Sequence, residues 1–200
     1  MGLLVLFGSE LTDRCEHEKR LLPSILTRCI HEVETRGLQT EGIYRKSGGS
    51  NQVKLIQAGF ERDSLGYDIS DPDLDIHAVT STLKQYLRKL PTPLITYDVY
   101  NPLLAAGKIA DREKMALALR VCVADLPPHH RDCLEFLIRH LCRVREHEAR
   151  NLMTSLNLAV VFAPTVMRPG SLEREVSDMF AQRTVVQALV EMCEVIFEEA

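Results

Sequence analysis

The apolar residues of this chain recur with the period of an α-helix almost from end to end, and that repeat leaves few folds open. From Leu22 the positions Leu22, Ile25, Leu26, Cys29, Ile30 and Val33 run i, i+3, i+4, i+7, i+8 and i+11, with Pro23 near the start and Gly37 as the stop. Ser50 can cap a second helix carrying Val53, Ile56 and Phe60, and Asp75 a third carrying Ile76, Val79, Leu83, Leu87 and Leu90, which ends at Pro91 and Pro93. Ala110 to Val123 is rich in good helix formers, and Leu126-Pro127-Pro128 breaks it. The next helix carries Leu134, Leu137, Ile138, Leu141 and Val144 as a stripe, with Arg131, Asp132, Glu135, Arg139 and Arg143 on its other faces. Asn151 to Phe162 is apolar nearly all round, which predicts a buried central helix. A last helix carries Val186, Leu189, Val190, Cys193, Ile196 and Phe197, and no stretch alternates long enough to argue a sheet. The expectation is an all-α fold, a single irregular bundle of about six to nine helices with Asp63 to Asp73 and Arg168 to Glu173 as internal loops.

A chain of 200 residues has room for one domain with a substantial core, taken here as residues 1–200. Lys and Arg number 24 against 28 Asp and Glu, a net charge of −4, which argues against the globally basic surface of a nucleic-acid binder. The longest apolar run, Leu3 to Phe7, is too short for a membrane span or a signal-peptide core. Met1-Gly2 is followed by Leu6 where a myristoylation signal needs Ser or Thr, so a domain cut from a longer protein is expected. Six cysteines without CxxC or dense spacing read as reduced, buried thiols, which points to the cytosol.

The groups expected of a self-contained enzyme are missing. The chain has no phosphate-binding GxxxxGK[ST], no GxGxxG after a strand and no GxSxG. His31-Glu32-Val33-Glu34-Thr35 begins like a zinc-binding HExxH but ends in Thr35, and Cys133, His140, Cys142 and His147 point several ways round one helix, so no metal site is expected. His129-His130 follow two prolines at a helix start, where solvent-facing polar residues are ordinary. Three polar places stand out. Lys84 and Arg88 are four apart on the third helix, with His77 and Ser81 extending the face, and this strip reads as either a solvated face or a partner site. Arg45 follows Ile43 and Tyr44, which can anchor the segment to the core, and precedes Gly48-Gly49, which would let the chain turn sharply. By chemistry alone Arg45 and Lys46 are equivalent surface charges. Asn157 sits among Leu156, Leu158, Ala159, Val160, Val161 and Phe162, where an amide must find a hydrogen bond or face a partner.

Those places fall in three ordered blocks: Glu41-Gly42-Ile43-Tyr44-Arg45-Lys46-Ser47-Gly48, Leu83-Lys84-Gln85-Tyr86-Leu87-Arg88-Lys89-Leu90-Pro91-Thr92-Pro93-Leu94, and Asn157-Leu158-Ala159-Val160-Val161-Phe162-Ala163-Pro164. Together with Phe7-Gly8 and Leu126-Pro127-Pro128, they resemble the Rho GTPase-activating protein (RhoGAP) domain from Phe7 to Phe197. The resemblance implies a domain that binds Rho-family small GTPases in the GTP state and accelerates hydrolysis without being an enzyme itself. Arg45 matches the family's arginine finger. Lys84 and Arg88 match the basic pair on the helix that faces the GTPase, Asn157 matches the asparagine that contacts it near its switch regions, and Pro164 matches the closing proline. Ala163 stands where the family commonly has Gly.

A guanidinium placed beside a transferring phosphoryl group stabilises charge that develops only in the transition state. In a related GTPase system an arginine supplied in trans accelerates hydrolysis by about 10³ to 10⁵, or about 4 to 7 kcal/mol. The nucleotide, magnesium and water-orienting glutamine would all belong to the partner, so the chain itself needs no cofactor. A monomeric domain near membranes only through its lipidated partner is expected. The alternative is a RhoGAP-like interaction module that binds GTPases or other signalling proteins without stimulating hydrolysis.

Overall fold

The computed structural model describes residues 5–171 and 173–198. Twelve helices succeed one another among them: α1 (Leu11–Glu18), α2 (Ser24–Arg36), α3 (Ser50–Arg62), α4 (Ile76–Lys89), α5 (Tyr97–Ala106), α6 (Arg112–Ala124), α7 (Pro128–Glu146), α8 (Glu148–Asn151), α9 (Ser155–Val166), α10 (Glu173–Ser177), α11 (Met179–Glu191) and α12 (Cys193–Ile196). Three of these, α8, α10 and α12, have five residues or fewer. The all-α reading holds: an isolated parallel bridge between Ile95 and Met167 is the only β pairing among the described residues. None of these helices is long and apolar enough to cross a membrane. Met1 to Leu4, which carry the start of the Leu3 to Phe7 run and the Met1-Gly2 pair, lie outside the described residues.

Helix ends follow local chemistry where a side chain can reach an orphan backbone amide. Asp75 accepts from the His77 amide at 2.9 Å and opens α4, and Asp111 accepts from the Lys114 amide at 3.0 Å and opens α6. Pro128 opens α7, where a missing N–H costs nothing. Ser50 differs from its expected role, because Gly49 occupies the cap position without a side-chain bond and Ser50 is the first helical residue. Gly37 ends α2 with φ −117°, outside the left-handed region. Its missing side chain serves packing instead, since a Cβ there would lie 2.9 Å from Ile76 Cγ1. The last helix divides at Met192 into α11 and α12.

The most enclosed helix is α4, which packs against α2, α3 and α9 and buries ten of its fourteen residues. The stripe Leu134, Leu137, Ile138, Leu141 and Val144 of α7 is fully buried, as its spacing predicts. Expectation and structure part at α9. The chain is apolar around this helix, yet Leu156 and Val160 are 52% and 40% exposed and Pro164 is open as well. One side packs on α4 and α11, and the other, at i, i+4 and i+8, is an uncovered apolar edge. Two smaller readings also change. His130 is buried and bonds the Leu94 carbonyl at 3.0 Å, and Cys122 and Cys142 are only half-buried, whereas Cys15, Cys29, Cys133 and Cys193 are buried.

One fully buried amide joins three parts of the bundle. Asn151 Nδ2 donates to the carbonyls of Leu38 at 2.7 Å and Val144 at 2.8 Å, and its Oδ1 accepts from the Met153 amide at 2.8 Å. Its own carbonyl accepts from the Gly42 amide at 2.8 Å, tying the connection after α7 to the loop between α2 and α3. Asn151→Ala would leave the Leu38 carbonyl and the Met153 amide without partners inside the protein, whereas the Val144 carbonyl keeps the His147 amide at 3.2 Å. Urea unfolding is expected to show a loss of about 3 kcal/mol, and a change under about 1 kcal/mol would mean that water replaces the side chain.

Candidate functional site

The loop between α2 and α3 turns sharply at Gly42, whose φ of +68° suits a residue without a Cβ. Its carbonyl accepts from the amides of Arg45 at 2.9 Å and Lys46 at 2.8 Å. Two residues on, Tyr44 also lies in the left-handed region, with φ +66°. For a bulky L-residue that conformation costs about 1–2 kcal/mol, so the surroundings must hold it there. Ile43 and Tyr44 are both fully buried, as the anchoring role expected from the sequence requires.

This locked turn separates two charges that the sequence left equivalent. Lys46 folds back over Gly42 and pairs with Glu41 at 3.0 Å. Arg45 is exposed, and its guanidinium has no hydrogen-bond or ion-pair partner among the described residues. Gly48 differs from its expected role as a turning residue, since it is not at positive φ. It permits contact instead: a Cβ there would lie 2.2 Å from the Ala78 amide nitrogen and 2.3 Å from Ala78 Cα.

Helix α4 holds the loop from below. Ser81 Oγ accepts from the Gly48 amide at 3.1 Å, and Lys84 Nζ donates to the Tyr44 carbonyl. The strip of His77, Ser81, Lys84 and Arg88 is therefore not a solvated face at its centre, because Lys84 is only 7% exposed. Burial, reinforced by the Arg88 charge one turn along, pulls the Lys84 pKa down to about 8. It still carries its proton at pH 7. Arg88 is exposed, and its Nε donates to Thr165 Oγ1 of α9 at 3.1 Å. Ser47, Gly48, Lys54, Gln57, Lys84 and Arg88 line a cleft of about 290 Å³ beside the loop.

The structure thus brings Arg45, Lys84 and Arg88 to one region and joins Arg88 to the Pro164 end of α9. Asn157 stands at the other end of that helix. It is half-exposed, its Nδ2 donates to the Leu152 carbonyl at 2.8 Å, and its Oδ1 has no donor among the described residues. Pro164 cannot supply the N–H that the Val160 carbonyl would receive in an unbroken helix, and both residues lie on the open edge. Ala163 is only 1% exposed, so the methyl added where a glycine is common packs inside the bundle. Beyond that edge lies an apolar groove of about 430 Å³, lined by Val160, Pro164, Met167, Val176 and Met179. The sequence carries a signal for it, a helix apolar on every face, but that pattern by itself predicts burial within the chain.

Residues 23–171 match the RhoGAP domain family. N-chimaerin of Rattus norvegicus is 38% identical over 194 residues, which cover 96% of this chain and 58% of that protein. N-chimaerin of Homo sapiens is also 38% identical, with 96% of this chain and 42% of that protein covered. The chain thus spans about half the length of these relatives. Among solved structures, human Rho GTPase activating protein 15 superposes with a TM-score of 0.91 at 31% identity, covering 96% of this chain and 92% of that one. The BH domain from GRAF, the GTPase regulator associated with focal adhesion kinase, gives a TM-score of 0.78 at 35% identity, covering 88% and 94%.

The close approach at Gly48 gives a direct test of how the loop is seated. Gly48→Ala would push one backbone segment against another, with no side chain able to rotate away. Thermal unfolding is expected to show a loss of about 1–3 kcal/mol, and an unchanged midpoint would mean that the loop does not rest on α4.

Proposed function

The chain belongs to the RhoGAP domain family, and from that premise we propose that it binds a Rho-family GTPase in the GTP state and accelerates hydrolysis by inserting Arg45 in trans. The observation that carries this reading is an exposed guanidinium, unpaired among the described residues, next to a fully buried, conformationally locked residue. Arg45 can enter a partner's phosphate site without first breaking an ion pair. Its backbone is held before the encounter, so little ordering is left to be done in the complex.

Charge spreads over the transferred phosphoryl group and the leaving oxygen as hydrolysis proceeds, and a guanidinium in a water-excluded interface meets that charge as it forms. The nucleotide, the magnesium ion and the group that orients the attacking water are assigned to the GTPase. Around the finger the roles divide. Lys84 spends a donor on the Tyr44 carbonyl and supports the loop, whereas exposed Arg88 retains donors for acidic groups of the partner. The open edge of α9 supplies apolar contact through Leu156, Val160 and Pro164, with the Asn157 amide oxygen free to accept.

Single-turnover GTP hydrolysis by a panel of Rho-family GTPases tests the reading. Arg45→Ala is expected to lower the stimulated rate by about 10³-fold while affinity stays within a few-fold, because the finger acts in the transition state. Full acceleration by that variant would remove Arg45 from the mechanism. Binding without acceleration by the unaltered chain would support an interaction module instead.

The division of roles has its own test. Lys84→Ala is expected to lower the rate at saturation more than the affinity, and Arg88→Ala to raise the half-saturating concentration more than it lowers the rate. The reverse pattern in titrations of both variants would exchange their assignments.

A further inference from the structure

The side chain of Tyr44 ends on another element of the fold. Its hydroxyl lies 2.7 Å from Nε2 of His140 on α7, and both residues are fully buried. The Tyr44 ring meets the Phe162 ring edge-on, with centroids 4.9 Å apart, and the His140 ring at 5.7 Å. On the far side of the imidazole, Nδ1 lies 2.8 Å from Glu34 Oε1 on α2, and Arg143 Nε donates to the same oxygen at 2.7 Å. The series runs from a partly exposed ion pair through the core to the residue before Arg45.

Its proton positions follow from chemistry. The His140 hydrogen bond and Arg143 hold the Glu34 carboxyl below its usual range, and burial holds the imidazole below its own, so an ionised carboxylate faces a neutral ring. A neutral imidazole has one N–H, and the carboxylate can only accept. Nδ1 therefore donates to Glu34, which leaves Nε2 to accept from the Tyr44 hydroxyl, and burial pushes that phenol well above its usual pKa. Each buried group has a partner, and the direction of every bond is set by Glu34.

We propose that His140 is a positioning residue for Arg45: oriented by Glu34 and Arg143, it fixes the buried Tyr44 side chain and with it the direction in which the next residue leaves the loop. The inference rests on the trans-arginine reading above. The turn at Gly42, the Ser81 hydroxyl and the Lys84 ammonium hold the loop by its backbone, and none of these bonds reaches the Tyr44 ring. The hydroxyl–imidazole bond and the Phe162 contact hold it in place. A buried tyrosine could satisfy its hydroxyl with a nearby backbone carbonyl. Here a polar series from α2 and α7 crosses the core and ends beside Arg45, the cation of the α2–α3 loop that has no partner among the described residues.

The test is single-turnover GTP hydrolysis by a Rho-family GTPase, titrated with the unaltered chain, Tyr44→Phe, Arg45→Ala and the double variant. Tyr44→Phe keeps the ring and removes only the bond to His140. It is expected to lower the saturating rate about tenfold, to leave half-saturation within twofold, and to have no further effect in the Arg45→Ala background. A general loss of structure would instead lower both backgrounds alike or raise half-saturation, and either result overturns the inference. Glu34→Gln, whose amide oxygen can still accept from Nδ1, is expected to retain most of the rate. Nitrogen NMR of His140 supplies a readout apart from activity: a neutral ring protonated at Nδ1 is expected, and one protonated at Nε2 overturns the inference. Should the unaltered chain accelerate nothing, the proposed function falls and this inference with it. Acceleration that Tyr44→Phe leaves intact overturns the inference alone.

Discussion

Tyr44 is held at both ends, and much of the site depends on it. Its carbonyl accepts from Lys84 and its hydroxyl meets His140, while its backbone sits in a conformation that a free chain would leave. Neither restraint is local, because the lysine is 40 residues away and the histidine 96. A loop fixed only by its own turn at Gly42 would let the following residue sample many directions. Fixed through the core, it can hold a flexible arginine outside the bundle while its root stays in place. The rest of the bundle acts as a mount: α4 lies beneath the loop, α7 and α2 supply the side-chain anchor, and Asn151 fastens the loop's near end.

The same arrangement explains why a buried lysine is present at all. Placing an ammonium inside a helical bundle is unfavourable, and the lowered Lys84 pKa reflects this. An apolar residue would pack there at less cost, but it would leave the carbonyl of buried Tyr44 without its donor. Arg88, one turn further, resolves the conflict differently by binding Thr165 with one nitrogen and remaining exposed. Two basic residues on one face thus have different environments, and burial divides their tasks.

Much of the bundle is legible in the sequence because helix formation is a local matter. The stripes of α2, α4 and α7, the aspartate cap of α4 and the proline at the start of α7 each involve residues within a few positions of one another. The departures occur where a distant element intervenes. Gly48 is a glycine because of Ala78 and Gly37 because of Ile76. Helix α9 looks buried because apolar composition records an affinity for apolar surroundings without recording whether this chain or a partner provides them. His140, which along the chain is only one of the group Cys133, His140, Cys142 and His147, acquires its meaning only from Tyr44 and Glu34.

The sequence by itself determined an all-helical domain, the three ordered blocks that mark its family, and the identity of each charged group. The periodicity of apolar positions and the order of motifs along a chain need no third dimension. Tertiary structure alone decided that Lys46 pairs with Glu41 while Arg45 has no partner among the described residues, that Lys84 lies beneath the loop while Arg88 faces outward, and that one edge of α9 stays uncovered. The physical reason is that burial and pairing belong to contacts between segments far apart in the chain. A residue's chemistry is written at its own position, but its solvent exposure and its hydrogen-bond partner are set by whatever the fold places against it.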